Sequence, residues 1–325
     1  MKIVCVAVLL MVVAVIIPVL LRNCQQPALP PEVPITAFPT EVRVKAVERN
    51  SAANVATAAP DVSRAVAIIC GKDSATSNRY EARNNALRSI ARRRDLPEEA
   101  VAALMTYLQS TQDRLRPERV AALKNDVMNL LRNQEPPPKG LTETLMGIFE
   151  GNSSTHNSPT PPHPPAVLDY CIQHLGAMQG EITDDSLRRR IRETFVLAAR
   201  QTRQPYAGTA LYSIAQDKRA FLSQKNELKR LTVALCKRGS HPVARISAIQ
   251  LAGERGYKEI LPILRETLSS SRRDAVLDIV SIGSLGLLGD ESNLELLSKF
   301  SSDTRRAVAV KAAIKRIKER AGVKR

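Results

Sequence analysis

The residues able to do chemistry are few and scattered. His156 and His163 share a Pro/Ser-rich stretch with no carboxylate or thiolate beside them, so no metal site is expected there. His174 follows Cys171 by three residues, which places both on one helix face. A Cys–His nucleophile still needs a third group to orient the imidazole, so packing is the expected role; the fourth histidine is His241. The five cysteines, Cys5, Cys24, Cys70, Cys171 and Cys236, form no CxxC pair, and the three in the body read as small buried hydrophobes. Paired acids at Glu98–Glu99, Asp184–Asp185 and Asp290–Glu291 fall at expected helix starts, where carboxylates answer free N–H groups. No Gly-rich phosphate loop and no G-x-S-x-G elbow occurs. Asn152 heads an "NSS" triplet, a glycosylation acceptor only in a eukaryotic secretory pathway. The expectation is no catalytic, cofactor-binding or metal residue.

Charge is the stronger signal. Forty-eight Lys and Arg against thirty-two Asp and Glu give a formal +16, a field that draws in anionic surfaces of any kind. The candidate contacts for an anionic partner are Arg92, Arg93 and Arg94, then Arg188, Arg189 and Arg190, then Lys311, Lys315 and Lys318. Lys237 with Arg238 and Arg272 with Arg273 are smaller clusters. From Arg305 to Arg325 nine basic residues face only Glu319, so half of the excess sits in the last helix. There Val310, Ile314, Ile317 and Ala321 make an apolar stripe expected to cap the body rather than enter a bilayer; the charged face is free to meet anionic lipid or another polymer.

Residues 3–21, "IVCVAVLLMVVAVIIPVLL", carry no charge and no strongly polar side chain, enough at about 1.5 Å per residue to cross a hydrocarbon core of about 30 Å. No A-x-A-like site follows closely, so an uncleaved signal anchor over 1–24 is expected. "LLRNC" also places Cys24 as a possible lipidation site, although Arg22 and Asn23 stand where a bacterial lipobox has small residues. Lys2 before the span and Arg22 after it slightly favour a body on the extracytoplasmic side.

Fourteen of the twenty prolines fall between Gln25 and Pro60 or between Gln134 and Pro165, and both zones read as extended chain. The expected plan is a linker over 25–60, a helical part over 61–150, a Pro/Ser-rich loop over 151–165, and a second helical part over 166–325. Hydrophobic residues make up 44% but aromatics only 3%, a composition suited to closely packed helices. Helical periodicity predicts fourteen helices from Asp61 to Ala321 and no strand.

The helices repeat. "ARISAIQLAG" (Ala244–Gly253) and "LDIVSIGSLG" (Leu277–Gly286) align at a spacing of 33 residues, with Ala248 on Ser281 and Gly253 on Gly286. Each is followed by a turn and a second helix, "YKEILPILRETL" and "ESNLELLSKF". "ARNNALRSIA" (Ala82–Ala91) and "RRAVAVKAAIKRI" (Arg305–Ile317) are further copies. This is the period of a solenoid, whose hairpins bury their second face only against neighbours.

On these motifs the chain resembles the HEAT repeat family, most closely from Pro242 to about Lys318. The resemblance implies an all-α, right-handed alpha-solenoid of stacked hairpins. It also implies that Arg83 and Arg245, at the family's Arg position, serve ladders between repeats, whereas Asp278 takes that position in the next unit. The expected function is a membrane-tethered, non-enzymatic scaffold binding a protein partner or an anionic polymer. Nucleic-acid binding through the Arg and Lys clusters is the alternative, since some HEAT-like solenoids grip DNA; the absence of Trp leaves no base-excision site to carry over. A bilin lyase, also built from such repeats in some cases, is a third reading with no residue to support it.

Overall fold

In the computed structural model, residues 61–153, 162–271 and 274–322 are described, and they belong to one compact unit. The anchor over residues 3–21, Cys24, the linker over 25–60, His156, and Arg272 with Arg273 lie outside the described residues. Among the described residues the chain is all-helical with no strand, and no helix is long and apolar enough to cross a membrane.

The helices are α1 (Val62–Ile69), α2 (Tyr80–Ile90), α3 (Glu98–Gln109), α4 (Pro117–Arg132), α5 (Leu141–Ser153), α6 (Pro165–Met178) and α7 (Asp185–Arg200). After them come α8 (Tyr206–Gln216), α9 (Lys218–Cys236), α10 (Pro242–Arg255), α11 (Leu261–Ser269), α12 (Ala275–Leu288), α13 (Leu294–Ser298) and α14 (Ala307–Arg320). Their starts follow local chemistry. Asp61, Asp184 and Asp274 accept from free N–H groups at the openings of α1, α7 and α12, and proline stands in the first turn of α4 and α10, where its missing N–H costs nothing. Glu98 and Glu99 occupy the first turn of α3, as the paired-acid reading requires. Two second helices are shorter than their periodicity predicts: Lys258–Ile260 and Glu291–Asn293 form single 3-10 turns before α11 and α13 begin. For α11 the cause is Pro262 in its first turn, which cannot continue a donor ladder from upstream.

Packing is local in the order of elements. Every extensive helix–helix contact joins neighbours or next-neighbours, and α2, α4, α6, α8, α10, α12 and α14 form one row in which each touches the next. The odd-numbered helices α1, α3, α5 and α7 make a second row beside it. Contacts from α4 and α5 onto α6 run across the Pro-rich loop. In the even row small residues set the approach. A Cβ on Gly208 would stand 3.0 Å from the Cα of Ala244, one on Gly253 3.2 Å from that of Ser284, and one on Gly286 2.7 Å from that of Ala313. The same device thus joins α8 to α10, α10 to α12 and α12 to α14, and the Ser284 hydroxyl donates to the Ile249 carbonyl at 2.9 Å.

Candidate interaction surfaces

Many of the basic residues turn inward to cap helix ends. Arg83 is 1% exposed; its Nε donates to the Ile69 carbonyl at the end of α1 (2.9 Å), and its two terminal nitrogens donate to the Asp113 carboxylate at 2.7 and 2.9 Å. Arg245, at the equivalent place in its own repeat, donates from Nε to the Cys236 carbonyl at the end of α9 (2.9 Å) and from its second arm to the Thr267 hydroxyl. Arg255 donates to the Ala215 carbonyl late in α8, and Arg320 to the Gly286 and Gly289 carbonyls at the end of α12. These carbonyls lack intrahelical partners and sit at the negative end of the helix dipole, so a guanidinium satisfies both needs. In the third copy the sign reverses: Asp278 is buried and accepts from Arg306 of the next hairpin at 2.8 Å.

The first of these caps continues into a polar cluster that motif reading missed. Lys124 is 1% exposed, and its Nζ donates to the Leu108 carbonyl (2.8 Å), the Ser110 carbonyl (2.6 Å) and His163 Nδ1 (3.4 Å). Tyr107 lies beneath both Arg83 and Lys124, and its hydroxyl donates to Asp113 at 3.2 Å. Burial lowers Lys124 to about 8 and His163 to about 4, so at neutral pH the ammonium donates and the imidazole accepts. Burial raises the Asp113 carboxyl, but hydrogen bonds from Arg83 and the Leu115 N–H outweigh it and hold the group below its usual range. With acceptors for all three of its protons, Lys124 is a cap and not a free nucleophile. A signal for it exists in the sequence: it stands between Val120 and Val127–Met128 on the buried stripe of α4, where a solvent-facing lysine would not.

The other candidate chemistry resolves into packing. His174 is buried with Nε2 3.2 Å from Asn125 Oδ1; Cys171 and Cys236 are fully buried, their thiols pushed up to about 12 by burial. Among the described residues no group of three His, Cys, Asp or Glu could hold a metal ion. Val310 and Ile317 of the terminal stripe are buried, Ile314 packs against the core and Ala321 is exposed.

The exposed clusters lie apart, at the end of α2, on α7 and on α14, which share no extensive contact. Arg92 faces solvent; Arg93 pairs with Asp95 at 3.5 Å and Arg94 with Glu135. Arg188 is buried, donating to Asp185 at 2.8 Å and to the Ile182 carbonyl, while Arg189 and Arg190 are exposed. Arg189, Arg192 and Arg200 line an open depression of about 760 Å³ together with Glu193, Glu227 and Leu197, a mixed rather than a purely basic surface. Lys311, Lys315 and Lys318 are exposed along α14.

Exposed apolar residues collect on the even row instead. Val243 on α10, Ile279 and Leu287 on α12 and Val308 on α14 are exposed, and Leu197 on α7 is exposed as well. Helix α12 is inverted: its polar residues Asp278, Ser281 and Ser284 are buried at 1%, 0% and 3%, whereas Ile279 and Leu287 are 36% and 41% exposed. Compared with family models, with curated proteins and with solved structures, the chain matches none.

Proposed function

We propose that the chain is a membrane-tethered, non-enzymatic scaffold whose helices stack as a HEAT-like, right-handed α-solenoid and hold a protein partner against the open side of the even-numbered row. The observation that carries this reading is the packing order: extensive contacts reach no further than the next-but-one helix, as in an array stabilised by repeat interfaces. The shared capping role of Arg83 and Arg245 and the small-residue notch at successive even-row contacts support it, because both recur with the repeat. Residues 3–21 supply the tether and 25–60 the spacer. Exposed apolar side chains on α10, α12 and α14 favour a protein over a polyanion, since base or phosphate contact uses cations and aromatic faces.

Expression of the full chain in a bacterial host tests tether and orientation together. External protease on spheroplasts should release the helical body while the anchor stays with alkali-washed membranes; a body that resists protease until lysis contradicts an extracytoplasmic scaffold. Nucleic-acid or other polyanion binding is the second reading, favoured by Lys311, Lys315 and Lys318 along one helix. It requires affinity for a DNA duplex that falls steeply with salt and weakens when those three lysines are replaced by alanine.

A further inference from the structure

The depression beside the Arg83 cap carries the inference furthest. Its volume is about 630 Å³, and three cations, Lys72, Arg83 and Arg114, line it against one carboxylate, Asp113. That carboxylate is already satisfied: it accepts from both arms of Arg83, from the Tyr107 hydroxyl and from the Leu115 N–H. The side chains of Arg83 and Asp113 are buried and form the floor. Lys72 and Arg114 are exposed on the walls, and neither makes an ion pair among the described residues. The backbone fixes both walls. Gly71, at φ +69°, reverses the chain after α1; its N–H donates to the Ile68 carbonyl and that of Lys72 to the Ala67 carbonyl, each at 3.0 Å, so Lys72 stands directly past the last turn. On the other wall Asp113 accepts from the Leu115 N–H at 3.0 Å, which holds Arg114 in a tight turn. Burial raises the Cys70 thiol, and Lys72 and Arg83 oppose that rise; Cys70 lines the same depression, so both positive charges are felt there.

We infer that this depression binds a phosphate group, carried by a small soluble ester or by a lipid headgroup, between Lys72 and Arg114, with the Ser74 hydroxyl and the Gln112 amide as neutral donors. The flanking acids do not cancel the wall charges. Asp73 accepts from the Ala75 N–H at 3.0 Å within its own turn. Glu99 lines a separate recess with Lys72, but it stands in the first turn of α3, about 15 Å of helix from the Gln109 end that leads into Thr111 and the depression. Like charges around one recess repel, and a bound anion offsets that cost. Phosphate is selected over carboxylate because the donors come from two walls: a phosphate presents oxygens in several directions, whereas a carboxylate presents two in one plane. Arg114 offers a planar fork and Lys72 a point charge, both suited to phosphate oxygens. The depression at the Arg245 cap is the opposite case, since Arg238 and Arg245 meet Glu266, Asp274 and Asp278 there, a balance that draws no anion. The site goes beyond the scaffold reading and does not depend on it.

Thermal unfolding of the full chain in nonionic detergent micelles, at fixed ionic strength, tests the assignment. Glycerol 3-phosphate should raise the midpoint in a saturable way, whereas succinate and chloride should not. Lys72→Gln with Arg114→Gln should weaken the phosphate response at least about tenfold and leave the midpoint in chloride unchanged or higher, because the repulsion is gone. Arg238→Gln, at the other depression, should leave the response intact. Micelles doped with phosphatidic acid, against phosphatidylcholine, identify the source: a response to the lipid alone assigns a headgroup, and a response to the soluble ester assigns a small ligand. Arg114→Gln alone, at an exposed loop position, keeps the test open if the double variant unfolds; it should lower the affinity several-fold by calorimetric titration, and an unchanged affinity overturns the site. No saturable response to either phosphate source, a response that survives the double variant, or an equal response to succinate also overturns it.

Discussion

Arg83 and Arg245 occupy the same place in two hairpins and answer the same kind of carbonyl, yet their surroundings differ. Arg83 is buried, with a carboxylate held by both arms and a tyrosine ring beneath it. Arg245 is half-buried and its second arm meets a neutral threonine hydroxyl. At Asp278 the repeat position changes sign and Arg306 comes from the next hairpin to meet it. The comparison teaches that the repeat keeps a role, closing the end of a neighbouring helix or the seam beside it, without keeping one electrostatic solution. The N-terminal hairpins gather Arg83, Asp113 and Lys124 into one buried cluster, whereas the C-terminal ones combine small-residue contacts with the buried Asp278–Arg306 pair and the half-buried Arg245 cap.

The largest expected effect breaks the buried end. Asp113→Ala leaves the Arg83 guanidinium buried without its counter-ion and should cost about 3–5 kcal/mol, seen as a fall in the midpoint of chemical unfolding. Thr267→Val at the Arg245 end removes one hydroxyl partner where water can replace it, and should cost about 1 kcal/mol. Equal losses at the two ends would erase the distinction.

Glycines separate the regions further. Gly286→Ala drives a methyl into the backbone of α14 and should cost about 1–3 kcal/mol. Gly283→Ala, one turn earlier in open space, should be neutral or stabilise by up to about 1 kcal/mol. Both are read from thermal midpoints, and a destabilising Gly283→Ala would mean that its surroundings are not open.

Acid acts on the buried imidazoles. Burial holds His163 and His174 at about 4 in the fold, below the usual imidazole range of about 6.5. The unfolded chain therefore binds more protons between those values, and stability falls as pH drops from about 6.5 through 4. His163→Gln should flatten that slope. An unchanged slope in the variant would show that His163 does not couple folding to pH.

Most of the helical order was legible from periodicity, because Gly, Pro and Asp mark the ends of the elements. The close contacts along the even row were legible at Gly253 and Gly286, small residues that must admit a neighbouring helix. Helix α9 begins at Lys218 rather than Lys225, since the segment KRAFLSQ before Lys225 contains no residue that stops a helix. The Arg83–Asp113–Tyr107–Lys124–His163 cluster was not legible as a unit: its members come from separate helices and loops, and only the lysine on an apolar stripe hinted at it. The basic triplet at Arg188 read as one surface patch, but a helix turns 100° per residue, and its first member faces inward.

Hydrogen exchange on the full chain, wild type against Gly286→Ala, tests the repeat array most directly. The array account predicts lost protection in α10, α12 and α14 with α1 to α4 unchanged, because coupling passes only between adjacent repeats. A uniform loss from α1 to α14 would contradict it and make the helical body one cooperative globule.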